Sequence, residues 1–289
     1  MANAIAYLKM NGLGNDFVVV DARASKIRFS PAQVRRISDR ETGIGCDQFI
    51  VMEPAPYPGA DLFMRIYNED GSEVDACGNA SRCVAALVAE ELVKSEILIA
   101  TNAGLLVAQV NGDQVTVDMG KPKFDWQDIP LSEEFRDTRG IELQIGPIDA
   151  PVLHTPSVVN VGNPHAVFWV SDDPEKYGLE RFGPLLENHP IFPQRANISL
   201  AQVISPDKIR VKVWERGVGL TLACGTAACA VAVCAARTRR SGRKVTIELP
   251  GGALQLEWRE SDDHILMTGP WALDGRGELP AELMMEPAA

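Results

Sequence analysis

Clustered positive charge is what this sequence most conspicuously lacks. Its 289 residues carry a formal net charge of -11, and a surface that neutralises phosphates needs grouped Lys and Arg. Nucleic acid is therefore excluded as an expected partner. The one basic run, Arg237 to Lys244, follows an apolar helical stretch. Cations suit a helix C-terminus, and Gly242 is the expected stop. No apolar run reaches the roughly 18 residues of a membrane span. The opening MANAIAYLKMNG lacks the basic start and apolar core of a signal peptide. A cytoplasmic location and no membrane partner are expected. The six cysteines form no CxxC pair, so neither a zinc site nor a disulfide framework is predicted, and no metal is assigned. A chain this long buries enough apolar surface to fold without such staples.

What the sequence does have is one internal repeat. Asp75-Ala76-Cys77-Gly78-Asn79-Ala80 returns as Leu222-Ala223-Cys224-Gly225-Thr226-Ala227. Gly12-Leu13-Gly14-Asn15-Asp16 matches Val161-Gly162-Asn163-Pro164-His165, and Thr101 to Leu105 aligns with Leu249 to Ala253. All three matches share an offset of 147 or 148 residues, which marks duplicated domains. Alternating stretches at Phe17–Val20, Leu62–Tyr67, Val159–Val161, Ala166–Val170 and Ile209–Trp214 predict strands. Helices are predicted over Asn79–Val93 and Thr226–Arg239. The second is apolar on nearly every face (AACAVAVCAA) and reads as a helix enclosed by sheet. A hairpin is expected at Asn111-Gly112. The fold class that follows is α+β: two pseudo-symmetric duplicated domains, each a mixed β-sheet or barrel wrapped around a central buried helix. The domains are expected over 1–122, completed by the 270–289 tail, and 123–269.

Each Cys-Gly stands where a buried helix begins. There a sulfur meets the unpaired first-turn amides and the positive end of the helix dipole, which predicts a lowered thiol pKa. The following Gly admits a ligand close to the backbone. Small or polar residues at Asn79, Ala80, Thr226 and Ala227 leave first-turn amides able to hold a carboxylate. Two such halves offer two thiols to one ligand, as inversion of a stereocentre by a two-base reaction demands. Cys83, Cys229 and Cys234, inside the helices, read as core residues, and so does Cys46.

The stretches MNGLGNDFVVVD (10–21), GIGCDQ (43–48), RIYNEDGSEVDACGNASRC (65–83), NVGNPHAVF (160–168) and VWERGVGLTLACGTAAC (213–229) resemble the diaminopimelate epimerase family over nearly the whole chain. The resemblance implies interconversion of LL- and meso-diaminopimelate on the path to lysine and peptidoglycan. It further implies no pyridoxal or metal cofactor, a substrate cleft between two similar domains, and a homodimer. Carried over by position, it makes Cys77 and Cys224 the acid–base pair, with His165 and Glu215 supporting them. Asn15, Gln48, Asn68, Asn163, Asn197, Glu215 and Arg216 match groups that hold the substrate. Gly78, Asn79, Gly225 and Thr226 match the helix starts that receive the reacting carboxylate. The chain departs from the usual pattern at Asn11, Leu220 and Ala227, where His, Glu and Gly are common, and around Asn197-Ile198-Ser199-Leu200. A proline or hydroxyproline racemase of the same wider fold is the nearest alternative. A Cys-His hydrolase on Cys224 and His165 leaves Cys77 unexplained, and a carboxylate-binding protein without turnover needs no thiol at all.

Overall fold

A computed structural model describes residues 4–25 and 27–285. They form two compact units: residues up to Val117 together with those from Gly269 onward, and Asp118–Thr268. Residues 286–289 of the expected tail lie outside the described residues. Among the described residues, no helix is long and apolar enough to cross a membrane.

The first unit runs β1 (Ala6–Gly12), β2 (Asn15–Asp21), α1 (Pro31–Ser38), β3 (Gln48–Glu53), β4 (Leu62–Asn68), β5 (Glu73–Val74), α2 (Gly78–Leu92), β6 (Glu96–Thr101), β7 (Gly104–Asn111) and β8 (Gln114–Asp118). Antiparallel pairs alternate with parallel ones: β1–β2 antiparallel, β2–β3 parallel, β3–β4 antiparallel, β4–β6 parallel, then β6–β7 and β7–β8 antiparallel. Asn111 pairs with Gln114, so the Asn-Gly hairpin forms as predicted. The helix α2 packs against β1, β6 and β7.

In the second unit come β9 (Gln144–Ile145), β10 (Leu153–His154), β11 (Ser157–Asn160), β12 (Pro164–Val170), α3 (Leu179–Glu187), β13 (Asn197–Ser205), β14 (Lys208–Glu215), β15 (Gly219–Thr221), α4 (Gly225–Arg237), β16 (Lys244–Leu249), β17 (Gly252–Trp258) and β18 (Ile265–Pro270). Its pairings repeat the first unit's order: β11–β12 antiparallel, β12–β13 parallel, β13–β14 antiparallel, β14–β16 parallel, β16–β17 antiparallel. The strand β19 (Ala272–Glu278) then pairs antiparallel with β1, and α5 (Ala281–Met284) packs on α1. The α+β class and its duplication are thus borne out.

Small side chains make the enclosure possible. Ala227 to Ala235 of α4 are all buried, and β11, β12, β13, β16 and β17 all pack on this helix. A run of Ala, Val and Cys is narrow enough for sheet to approach on every side. Cys83, Cys229 and Cys234 are core residues here, as read, and buried Cys46 meets Ser38 Oγ.

The helix ends depart from the sequence reading. The left-handed residue that closes α4 is Arg239 (φ 58°), not Gly242. Its amide donates to Ala236 O and that of Arg240 to Ala235 O, which is the Schellman pattern. Val93 closes α2 with φ 53° while 91% exposed. A left-handed L-residue costs roughly 1–2 kcal/mol, β-branching makes it worse, and here no packing compensates. Glycine forfeits about 0.4–1 kcal/mol through the unfolded chain. Val93→Gly is therefore expected to stabilise the protein by about 1 kcal/mol, read as a Tm rise of roughly 2–4 °C; a lower Tm refutes it.

Candidate active site

In the first unit the site begins at a tight hairpin. Gly12 pairs with Asn15, and both residues between them are left-handed (Leu13 φ 61°, Gly14 φ 81°), the requirement of a type I′ turn. Asn15 thus opens β2. Its Nδ2 donates to Asp47 Oδ2 (2.9 Å), and its Oδ1 accepts from Asn79 Nδ2 (3.3 Å). Asp16 and Asp47 accept each other's backbone amides, and Arg40 bridges both carboxylates. Burial opposes the charge on Asp16, but Arg40 and Lys9 hold its carboxyl far below the usual range. Gln48, beside Phe17 in the parallel pair, donates to Asn68 Oδ1 at 3.2 Å, and Asn68 donates on to Ser72. Cys77, half-buried and extended (φ -144°, ψ 112°), caps α2, its sulfur 3.5 Å from the Ala80 amide. Gly78 and Asn79 follow as the buried first turn.

The second unit builds the same arrangement from different groups. A three-residue loop, with Gly162 at φ 105°, carries Asn163 into β12. Asn163 Oδ1 lies 2.7 Å from His165 Nε2. His165 is fully buried, and its Nδ1 has no hydrogen-bond partner among the described residues. Burial first, and the charge of Arg216 second, pull its pKa down to about 3, so it is a neutral imidazole at physiological pH. Its strand neighbour Asn197 donates to Pro164 O (3.0 Å) and accepts from the Arg216 amide (2.9 Å). Glu215 ends β14 and accepts from Thr221 Oγ1. Cys224, 5% exposed, caps α4 in the same extended conformation as Cys77, with Thr226 Oγ1 at 3.4 Å.

One expectation is corrected here. The Cys224 thiol is raised well above its ordinary pKa, chiefly by burial and then by the neighbouring Glu215 carboxylate. Both disfavour the thiolate, and together they outweigh the helix start. Cys224 therefore holds its proton at neutral pH, beside a carboxylate that can accept it.

The repeat also extends further than the sequence motifs. Gln48 and Asn197 each open the strand that runs parallel to the hairpin strand, while Asn68 and Glu215 each end the next one. In the first unit a hydrogen bond ties Asn15 to Asn79 of the cysteine-capped helix, and in the second the parallel pair sets His165 beside Asn197. Sequence reading missed Asp16, Asp47 and Arg40, although Asp16 directly follows Asn15 and Asp47 precedes Gln48. It missed Glu187 and the fully buried Arg82 as well, whose Nη1 donates to Asn79 Oδ1.

A model of the diaminopimelate epimerase family matches residues 7–125 and 157–273. The chain belongs to that family. The diaminopimelate epimerase of Afipia carboxidovorans is 58% identical over 280 residues, covering 96% of each chain. That of Brucella anthropi is 56% identical, over 95% of this chain and 92% of its own. Among solved structures, a hydroxyproline epimerase from Agrobacterium vitis with bound trans-4-OH-L-proline superposes with a TM-score of 0.67 at 16% identity, covering 99% and 96% of the two chains. A Bacillus anthracis phenazine biosynthesis protein of the PhzF family gives 0.66 at 16% identity, covering 96% and 99%. At such identities these two share the fold alone. Of the departures from the family pattern, Asn11 bonds both oxygens of Asp274, Leu220 is exposed, and Ala227 is buried in the first turn of α4.

Proposed function

We propose that this chain is an isomerase that interconverts LL- and meso-diaminopimelate, with Cys77 and Cys224 as acid and base at one α-carbon. The observation that carries the reading is that each unit caps its enclosed helix with a cysteine, in a chain that the family model matches over residues 7–125 and 157–273. One thiol removes the α-hydrogen while the other returns a proton to the opposite face. Cys224, held protonated, starts as the acid, and Glu215 accepts its proton when the direction reverses. His165, neutral and with an open Nδ1, supports the acid–base pair as a hydrogen-bond acceptor. The helix starts at Gly78–Asn79 and Gly225–Thr226 suit the reacting carboxylate, whose negative charge their amides stabilise as the carbanion forms. Arg216 grips the distal carboxylate, and Glu215 with Asn15, Gln48, Asn68, Asn163 and Asn197 supplies acceptors and amides for the rest of the substrate. This chemistry asks for no metal or pyridoxal cofactor. The product feeds lysine and peptidoglycan synthesis, and a cytoplasmic homodimer is the form we assign.

The test is incubation of the reduced protein with LL-diaminopimelate in D2O, without added metal or pyridoxal phosphate, followed by NMR and chiral chromatography. The expected result is α-deuterium together with meso product. Neither from folded, reduced protein overturns the function.

A further inference from the structure

The Glu215–Arg216 dipeptide takes its shape from a carboxylate with no part in the proton transfers. Glu187, the last residue of α3, is only 5% exposed. Its Oε1 accepts from the Gly217 amide at 2.9 Å and from Arg195 Nη1 at 3.1 Å, and its Oε2 accepts from Trp214 Nε1 at 2.7 Å. Trp214 and Gly217 are the residues immediately before and after Glu215–Arg216. The chain turns between them: the Val218 amide donates to Glu215 O, and Gly217 has φ 77°. A glycine at the third position of such a turn is the type II requirement. The Arg216 amide is taken by Asn197 Oδ1.

The helix leaves the turn little freedom. A Cβ on Gly183, one helical turn before Glu187, would come within 2.4 Å of the Trp214 ring, so α3 presses directly on the indole. Hydrogen bonds from neutral donors to a buried carboxylate are short and strong, and the group loses heavily if a donor leaves. The Arg195 contact is weaker evidence, because that side chain is half exposed. Fixation of the turn is therefore the part that bears on chemistry.

We propose that Glu187 is a positioning residue: it clamps both ends of the Glu215–Arg216 turn and so sets where the distal-carboxylate grip stands. The kinetic half of this rests on the proposed function. Glu187→Gln keeps the shape but offers one acceptor oxygen and an amide NH2 that faces a donor. Two readouts apply. Per active thiol, KM for LL-diaminopimelate is expected to rise about tenfold or more while kcat falls less. Hydrogen exchange at the Gly217 amide is expected to accelerate by a similar factor in protein without substrate. A merely structural role lowers Tm and the folded fraction but leaves KM in place. KM within about twofold of wild type, with Gly217 still protected, overturns the proposal. Should Glu187→Gln not fold, Trp214→Phe removes one of the three donors and keeps an aromatic ring at the position. A smaller KM increase in the same direction is expected from it, and none overturns the clamp. Wild-type protein that leaves diaminopimelate unchanged overturns the function instead, and the exchange measurement then still tests the clamp.

Discussion

In Cys77→Ala and in Cys224→Ala, formation of meso-diaminopimelate from the LL isomer is expected to fall by about 10²–10⁴-fold, the usual contribution of a positioned acid or base. Both variants should fold. Cys77 is half-buried, and the contact of its sulfur with the Ala80 amide is long, at 3.5 Å. Removing the Cys224 sulfur deletes one atom from a buried helix start. Loss of product alone does not distinguish two bases from one, but isotope exchange does. Each variant retains a single thiol, which can still remove and return a proton on its own face. Residual α-deuterium without inversion is therefore expected, confined to one stereoisomer in Cys77→Ala and to the other in Cys224→Ala. It should be slower in Cys77→Ala, because the surviving thiol is the one that burial and Glu215 keep protonated. Full turnover in either variant would mean that one nucleophile suffices, and the two-base reaction would be abandoned.

How far the sequence carried these conclusions varies with the range of the physics involved. The repeat was legible because both units need a glycine with positive φ in the turn into the hairpin strand and a glycine after a capping cysteine. Both central helices start one residue before the expected position and end one or two residues before it, since apolar periodicity is local. Arg239 and Val93 in left-handed conformations were not legible, because a helix stop depends on which carbonyls the next turn must satisfy. Neither was the irregular stretch before β11. It has little regular structure, yet Ile129, Leu131, Ile141 and Leu143 lie buried in the core of the second unit. The raised Cys224 thiol depends on Glu215, nine residues away and brought near by the turn into β15. Glu187 is more distant still, 28 residues before Glu215, and nothing in a lone glutamate at a helix end announces three donors.

Stability of the second unit is expected to fall as the pH drops from 6.5 to 4.5, and His165 is the reason. Its folded pKa is depressed to about 3 from an ordinary 6.5. The unfolded chain therefore binds a proton across that window and the folded chain does not. Stability is fully present above the unfolded pKa and drains as the pH falls toward the folded one. The slope approaches 1.4 kcal/mol per pH unit, which gives a loss of about 2 kcal/mol between pH 6.5 and 4.5. Within the second unit, Asp137 and Asp262, held below the usual carboxylate range by their Arg partners, contribute in the same direction but only at lower pH, below about 4. Trp126, Trp169, Trp214 and Trp258 all lie in the second unit, so urea unfolding followed by tryptophan fluorescence reports chiefly on it. In His165→Gln, whose amide does not titrate, most of that 2 kcal/mol difference is expected to vanish. An unchanged difference would place the acid sensitivity elsewhere. The same burial that makes His165 costly to protonate keeps its Nδ1 a lone-pair acceptor at neutral pH.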